Sequence, residues 1–252
     1  MKENISENPK TPGAAAPNNL VGICVAGITP FTTIDFPGCL AGVFYLQGCP
    51  WRCRYCYNAE FLPLPPAGTQ VPVEKILQFL DSRKGHLEGI VFSGGEPTVH
   101  ASLGKWMKAV KEMGYAVGLH TNGMFPERLR EVLPVCDWVG MDIKAPFSLY
   151  EIVTLVPGSG DEARKSAAAL LQSKVAYEFR TTVHPDLLSE EDILAAAGEL
   201  AALGAKNYVL QMFRPGHCPD KELRESNFHA AGISANLRVS LRSMFPEFQI
   251  RE

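Results

Sequence analysis

The feature that most constrains this chain is an alternation of short apolar runs with amphipathic segments, which begins near residue 42 and recurs six times. The apolar runs at 42–46, 89–92, 115–119, 137–141, 176–183 and 206–213 have the length and composition of strands. A helix is well signalled at 72–85. Pro72 stands near its first turn, Val73, Ile76, Leu77 and Leu80 fall at i, i+3, i+4 and i+7, and Gly85 can close it. Further helices are expected near 102–113, 126–133, 161–173, 189–203 (with Ser189 as cap and Gly204 as stop) and 229–244. Ahead of the repeat, residues 21–40 read as one or two short strands broken at Pro30 and Pro37. Strands alternating with helices imply an α/β protein with a parallel sheet and right-handed crossovers. Each expected strand runs at its C-terminal end into polar residues or glycines, where α/β barrels place their active sites. Periodicity alone leaves both a doubly wound open sheet and a partial barrel open.

Composition excludes several classes. The 252 residues suffice for one large domain with a substantial core. A net charge of −3 offers no electrostatic case for nucleic acid or a membrane surface. No apolar stretch approaches the about 20 residues needed to cross a bilayer. Residues 1–19 are polar, rich in Ala, Pro and Asn, and lack the apolar core of a signal peptide. They read as a disordered tail ahead of a single domain over 20–252. Seven cysteines, an odd number with three clustered, argue against a secreted disulfide scaffold and for a reducing cytoplasm.

Those three cysteines lie directly after the first expected strand, in the loop Gln47-Gly48-Cys49-Pro50-Trp51-Arg52-Cys53-Arg54-Tyr55-Cys56. Three thiolates in a C-x3-C-x2-C turn can hold three corners of an iron–sulfur cubane and leave the fourth iron open. A fully ligated cluster takes four cysteines, and a zinc site wants a fourth Cys or His nearby. The next His is His86, and Tyr57 and Asn58 follow Cys56. The alternative is a loop of buried structural cysteines.

This spacing, with an aromatic just before the third Cys, resembles the radical S-adenosylmethionine (radical SAM) enzymes. The resemblance implies their fold, a partial (β/α)6 TIM-like barrel, and their cofactors, a 4Fe-4S cluster and S-adenosyl-L-methionine (SAM). It makes Cys49, Cys53 and Cys56 the cluster ligands, with the open iron chelating the amino and carboxylate groups of SAM. Tyr55 becomes a neighbour of the adenine. Gly94-Gly95-Glu96 at the end of the second strand matches the family's motif for the SAM amino group. Its two glycines permit close backbone approach to a ligand, and its carboxylate can accept from an ammonium. Thr121-Asn122-Gly123 after the third strand and Asp142-Ile143-Lys144 after the fourth match positions that line SAM in the activating-enzyme branch. Lys144 would pair with the methionine carboxylate, and Asp142 would bind the ribose or order the site. Arg180 and His184 of the fifth strand, and Arg214 after the sixth, are placed to reach SAM. The plain reading of His184 is a residue ordering the His-Pro turn.

Residues 28–38 (ITPFTTIDFPG) and 208–215 (YVLQMFRP) are similar to segments of one branch of the family. That branch comprises the activating proteins of anaerobic (class III) ribonucleoside-triphosphate reductase and related glycyl-radical activases. Two positions depart from the branch: Tyr57 stands where many activases have His, and His120 where the pyruvate formate-lyase activase has Asp. About thirty residues separate Cys56 from the second strand, enough for one helix and too few for a ferredoxin-like insert. No extra domain is expected after the sixth unit, and a short open barrel suits a macromolecular substrate that brings its own loop. The resemblance implies that a flavodoxin- or ferredoxin-like donor reduces the cluster, that SAM is cleaved to methionine and a 5′-deoxyadenosyl radical, and that this radical takes hydrogen from a glycine of the partner. The protein would position the reacting groups and exclude water. The alternatives are a radical SAM enzyme acting on a small molecule or peptide, and an iron–sulfur electron carrier.

Overall fold

The computed structural model describes residues 20–226 and 232–251. The expected tail at 1–19, and the start of the helix expected from 229, lie outside them. In chain order the elements are β1 (Val25–Thr32), β2 (Ala41–Leu46), α1 (Val73–Arg83), β3 (Gly89–Gly94), α2 (Leu103–Glu112), β4 (Ala116–Thr121), α3 (Pro126–Val132), β5 (Trp138–Asp142), α4 (Glu151–Thr154), α5 (Ser159–Ser173), β6 (Ala176–Val183), α6 (Glu190–Ala202), β7 (Asn207–Met212), α7 (Lys221–Glu225), α8 (Ala235–Met244) and β8 (Glu247–Arg251). The strands pair in sequence order into one eight-stranded sheet. From β2 to β8 every neighbouring pair is parallel. Side chains from β2 through β8 line one cavity, so the sheet curls into an open barrel with β1 and β8 at its edges.

Local chemistry explains most elements. Every residue of β3 is buried, as a central strand covered on both faces requires. In α2 the stripe Leu103, Trp106, Met107 and Val110 faces the sheet and is buried. At α6, Ser189 accepts from the backbone N–H of Asp192, whose carboxylate accepts in return from the N–H of Ser189, a complete capping box.

Two differences from the sequence reading have physical causes. β1 runs through Pro30 rather than breaking there. It pairs antiparallel to β2 at the sheet edge, and its register slips between Thr29 and Thr32, where a missing N–H is tolerated. The loop after it returns Phe36 into the base of the barrel. There it stacks on Trp138 with ring centroids 5.6 Å apart and packs against Ala41, Val43 and Val91. The second difference is β8, a seventh parallel strand beyond the six expected. Its sequence, Glu247-Phe248-Gln249-Ile250-Arg251, alternates but is too polar to announce a strand. It pairs with β7 and is tied to β6 by a two-pronged ion pair from Arg251 to Glu178, at 2.6 and 2.7 Å. Among the described residues no helix is long and apolar enough to cross a membrane.

The first turn of α5 tests the packing. A Cβ built on Gly160 would overlap the carbonyl oxygen of Phe147, which cannot rotate away as a side chain could. Gly160→Ala is expected to destabilise the protein by about 1–3 kcal/mol, read as a lower urea midpoint. An unchanged midpoint would contradict this packing.

Candidate active site

The cysteine loop is fixed by its own backbone. Gln47 donates to the carbonyl of Cys24, Gly48 to Phe61 and Cys49 to Leu62, at 2.8, 2.8 and 3.2 Å. Farther along, Arg52 donates to the carbonyl of Thr154 and Arg54 to that of Val153, at 3.0 and 2.9 Å. The second half of the loop thus hangs on α4, about a hundred residues away in sequence. Cys49 and Cys53 are buried, Cys56 is half-buried, and all three line a cavity of about 380 Å³. Burial pushes the Cys49 thiol up to about 12, helped by the carboxylate of Glu96. It pushes Cys53 up to about 11 against the pull of Lys144, and raises Cys56 too. As free side chains these are thiols at neutral pH, and bound metal would deprotonate them outright. Among the described residues no three His, Cys, Asp or Glu side chains converge closely enough for one metal ion. The three thiols line the same cavity, where a cluster, whose irons take one thiolate each, could be held.

The Gly94-Gly95-Glu96 turn sits against this loop. A Cβ on Gly94 would overlap the backbone of Leu46, and one on Gly95 would come 2.6 Å from the carbonyl oxygen of Gly48. Gly94 also has φ +111°, which disfavours a side chain. Close approach to the cysteine loop is thus what requires these glycines, although both also line the cavity. The Glu96 side chain departs from its expected use. It is fully buried and does not line the cavity. One oxygen accepts from the backbone and hydroxyl of Thr98 and from the hydroxyl of Thr121, at 3.0, 2.6 and 2.8 Å. The other accepts from the backbone N–H of Asn122 at 2.7 Å. With these donors in place the carboxylate clamps the end of β4 to the end of β3. Burial still raises its pKa, although those hydrogen bonds oppose the rise. Asn122 in turn directs its amide at the Cys49 sulfur, at 3.6 Å.

In the same cavity Asp142 lies between two cations. Lys144 Nζ is 2.8 Å and Arg180 Nε 3.0 Å from its oxygens. Burial favours the neutral acid, but the two cations outweigh it and hold the Asp142 carboxyl at about 2. Lys144 also stands over the Tyr55 ring, 5.6 Å from its centroid. The Tyr55 hydroxyl is buried with no hydrogen-bond partner among the described residues. His120 points into the same cavity. It donates through Nε2 to the carbonyl of Asp35 at 2.8 Å and lies 3.3 Å from the Ser93 hydroxyl through Nδ1. Burial and Arg180 lower its pKa to about 4, so it is neutral at pH 7.

His184 does not join the site. Its ring is fully buried away from the cavity, accepts from the N–H of Asp186 at 3.2 Å and donates to the carbonyl of Leu223 at 3.1 Å. It orders its own turn and packs α7, one residue beyond the end of β6 at Val183. The cavity wall also includes Asn58, Ser93, Thr182, Gln211 and Arg251, which sequence reasoning did not single out. Asn58, Ser93 and Thr182 carry no motif, and Gln211 lies in the 208–215 segment without having been picked out within it. Arg251 belongs to a strand that only pairing with β7 reveals.

Comparison with known proteins agrees with this geometry. The family model of the radical SAM superfamily matches residues 43–186, more than half of the chain. A protein of Methanocaldococcus jannaschii, provisionally named a glycyl-radical enzyme activating enzyme, is 31% identical over 208 residues, covering 80% of this chain and 84% of its own. A pyruvate formate-lyase-activating enzyme of Clostridium pasteurianum is 33% identical over 116 residues, 44% of this chain and 48% of that one. Among solved structures, SuiB of Streptococcus suis bound to SAM superposes with a TM-score of 0.63 at 14% identity, over 82% of this chain and 48% of its own. The chain belongs to the radical SAM superfamily, and its open α/β barrel is the fold of that class. It is a radical SAM enzyme, working with a 4Fe-4S cluster and SAM, and its relatives include glycyl-radical activases.

Two outcomes test the electrostatics. Every group facing the Glu96 carboxylate is a donor. Glu96→Gln therefore sets an amide N–H against a donor and should cost about 1–3 kcal/mol in denaturant unfolding. A neutral result would remove the clamp. Asp142 has a depressed pKa, so its stabilisation is present above its ordinary value of 3.8 and lost as pH falls through about 2. Over that window the wild type should lose more stability than Asp142→Asn, measured as unfolding free energy against pH.

Proposed function

We propose that this enzyme is a glycyl-radical activase whose partner is an anaerobic (class III) ribonucleoside-triphosphate reductase. The observation that carries the activase reading is the 31% identity to the M. jannaschii activating-enzyme homologue over most of both chains. That identity accompanies a cavity lined by three thiols and a charged triad. The choice of reductase rests on the similarity of residues 28–38 and 208–215.

In this reading Cys49, Cys53 and Cys56 hold the cluster. Bound there, the cluster and SAM would supply one-electron, hydrogen-abstracting chemistry directed at the partner's glycine. The chain's own residues position and insulate. Lys144, Asp142 and Arg180 together leave one surplus positive charge, which suits the methionine carboxylate. Asp142 keeps both cations in place. Tyr55 offers the adenine an aromatic face and a hydroxyl that has no hydrogen-bond partner among the described residues. The Gly94-Gly95 backbone, with Thr121 and Asn122 held by Glu96, forms the wall against which the amino end of SAM would rest. A flavodoxin- or ferredoxin-like donor supplies the electron. Seven free cysteines and a reducible cluster suit a cytoplasmic compartment.

The test is EPR on anaerobically reconstituted, reduced protein mixed with SAM and the host's class III reductase. A glycyl doublet is expected, and it should vanish with Cys53→Ala. SAM cleavage without a doublet would overturn the partner and leave a radical SAM enzyme with another substrate. A cluster signal indifferent to SAM would point to an electron carrier.

A further inference from the structure

Arg54 sits in the cysteine loop between Cys53 and Tyr55 and is gripped at three points. Its backbone N–H donates to the carbonyl of Val153 at 2.9 Å. Its own carbonyl accepts from the thiol of Cys218 at 3.3 Å. Its Nε donates to the Asp220 carboxylate at 2.8 Å. The last two contacts come from the segment after β7, 164 and 166 residues away in sequence. Arg54, Cys218 and Asp220 do not line the cavity, so they bear on it through the loop. The turn they hold, which closes on itself from the Cys56 N–H to the Cys53 carbonyl at 3.0 Å, carries two of the three clustered thiols.

The gripping segment is itself firm. Asp220 divides its carboxylate between two tasks. Oδ2 meets Arg54, while Oδ1 accepts from the N–H groups of Glu222 and Leu223 at 3.1 and 3.2 Å and caps α7. Burial pushes the Asp220 carboxyl up, but the hydrogen bonds from Arg54 and the backbone outweigh it and hold it below its usual value. Leu223 is buried, and its carbonyl accepts from His184 at 3.1 Å. Arg224 closes the turn by donating to the carbonyl of Cys218 at 3.1 Å. His217 adds a ring contact with Tyr57, centroids 4.9 Å apart. A run of hydrogen bonds therefore leads from His184 beyond β6, through α7, to the cysteine loop. A cap alone needs one oxygen of Asp220, and the other is committed to the loop.

We propose that Asp220 is a positioning residue for the cysteine loop: through Arg54 it latches the segment after β7 onto the turn that presents Cys53 and Cys56. The proposal rests on the assignment of those thiols to the cluster and is independent of which partner the enzyme activates. With the latch closed, the two thiols keep the spacing and the burial that a cluster requires. With it broken, the turn loses its hold on one side, opens more often and exposes both thiols.

The test reads the loop without relying on turnover. Reduced, cluster-free full-length protein is treated with iodoacetamide, and the alkylation rate at each cysteine is followed by mass spectrometry. Asp220→Ser keeps a cap for α7 but is too short to reach Arg54. It should speed alkylation of Cys53 and Cys56 about fivefold, the scale of one partly exposed ion pair. Cys136, a buried thiol held by the Val132 carbonyl outside this contact, reports global opening and should not change. If Asp220 served only as a cap, Asp220→Ser would match the wild type. Asp220→Asn caps α7 and still accepts from Arg54 without the charge, so its acceleration should fall to about twofold. Arg54→Met combined with Asp220→Ser should be no faster than either single variant, as partners in one contact require. In reconstituted protein, Asp220→Ser should also quicken iron loss to a chelator about fivefold. Wild-type rates at Cys53 and Cys56 in Asp220→Ser, an equal increase at Cys136, multiplied effects in the double variant, or unchanged iron loss would each overturn the proposal. The cluster assignment fails separately: full iron content in Cys53→Ala would overturn it, while the alkylation rates would still report the latch.

Discussion

The buried carboxylate of Glu96 is the interaction on which the site depends. A charge out of water is tolerable only with donors all around it, and Glu96 has them from Thr98, Thr121 and Asn122. Those donors come from the ends of two neighbouring strands. Satisfying one charge therefore fixes the relative height of β3 and β4, and through the Asn122 amide it fixes the surroundings of Cys49. The two glycines before Glu96 press the same turn against the cysteine loop, where any side chain would collide with backbone.

Charge is distributed along the curled sheet in the same economical way. Asp142 holds Lys144 and Arg180 on one wall, and Glu178 holds Arg251 farther round. Lys144, Arg180 and Arg251 are thus oriented before any ligand arrives, which lowers the ordering cost of binding. The first group belongs to the half that meets the cysteines and Tyr55.

Much of this was legible in the sequence. Helix caps and stripes gave α1, α2 and α6 closely, because they are local signals. The strand-end motifs 94–96, 121–123 and 142–144 pointed to one surface because successive parallel strands present the same end. Of the two readings of His184, the one that orders its own turn agrees with the structure, since strand alternation ceases to govern a side chain where the strand stops at Val183. Glu96 was recognised as part of the site, but its acceptor role depends on Thr121 and Asn122, whose nearness no spacing rule gives. β8 was missed since its alternation is weak and its stability comes from β7 and the Glu178 pair.

The sequence by itself determined the alternating strands and helices, the three-thiol loop and the family, because each is written in local pattern or short motif. Only the tertiary structure decided how the sheet curls, that α4 anchors the cysteine loop, and that Arg251 enters the cavity. Those facts rest on hydrogen bonds and ion pairs between residues far apart in the chain. Pairing at that separation is set by the packing of the whole sheet, and no local window of sequence contains it.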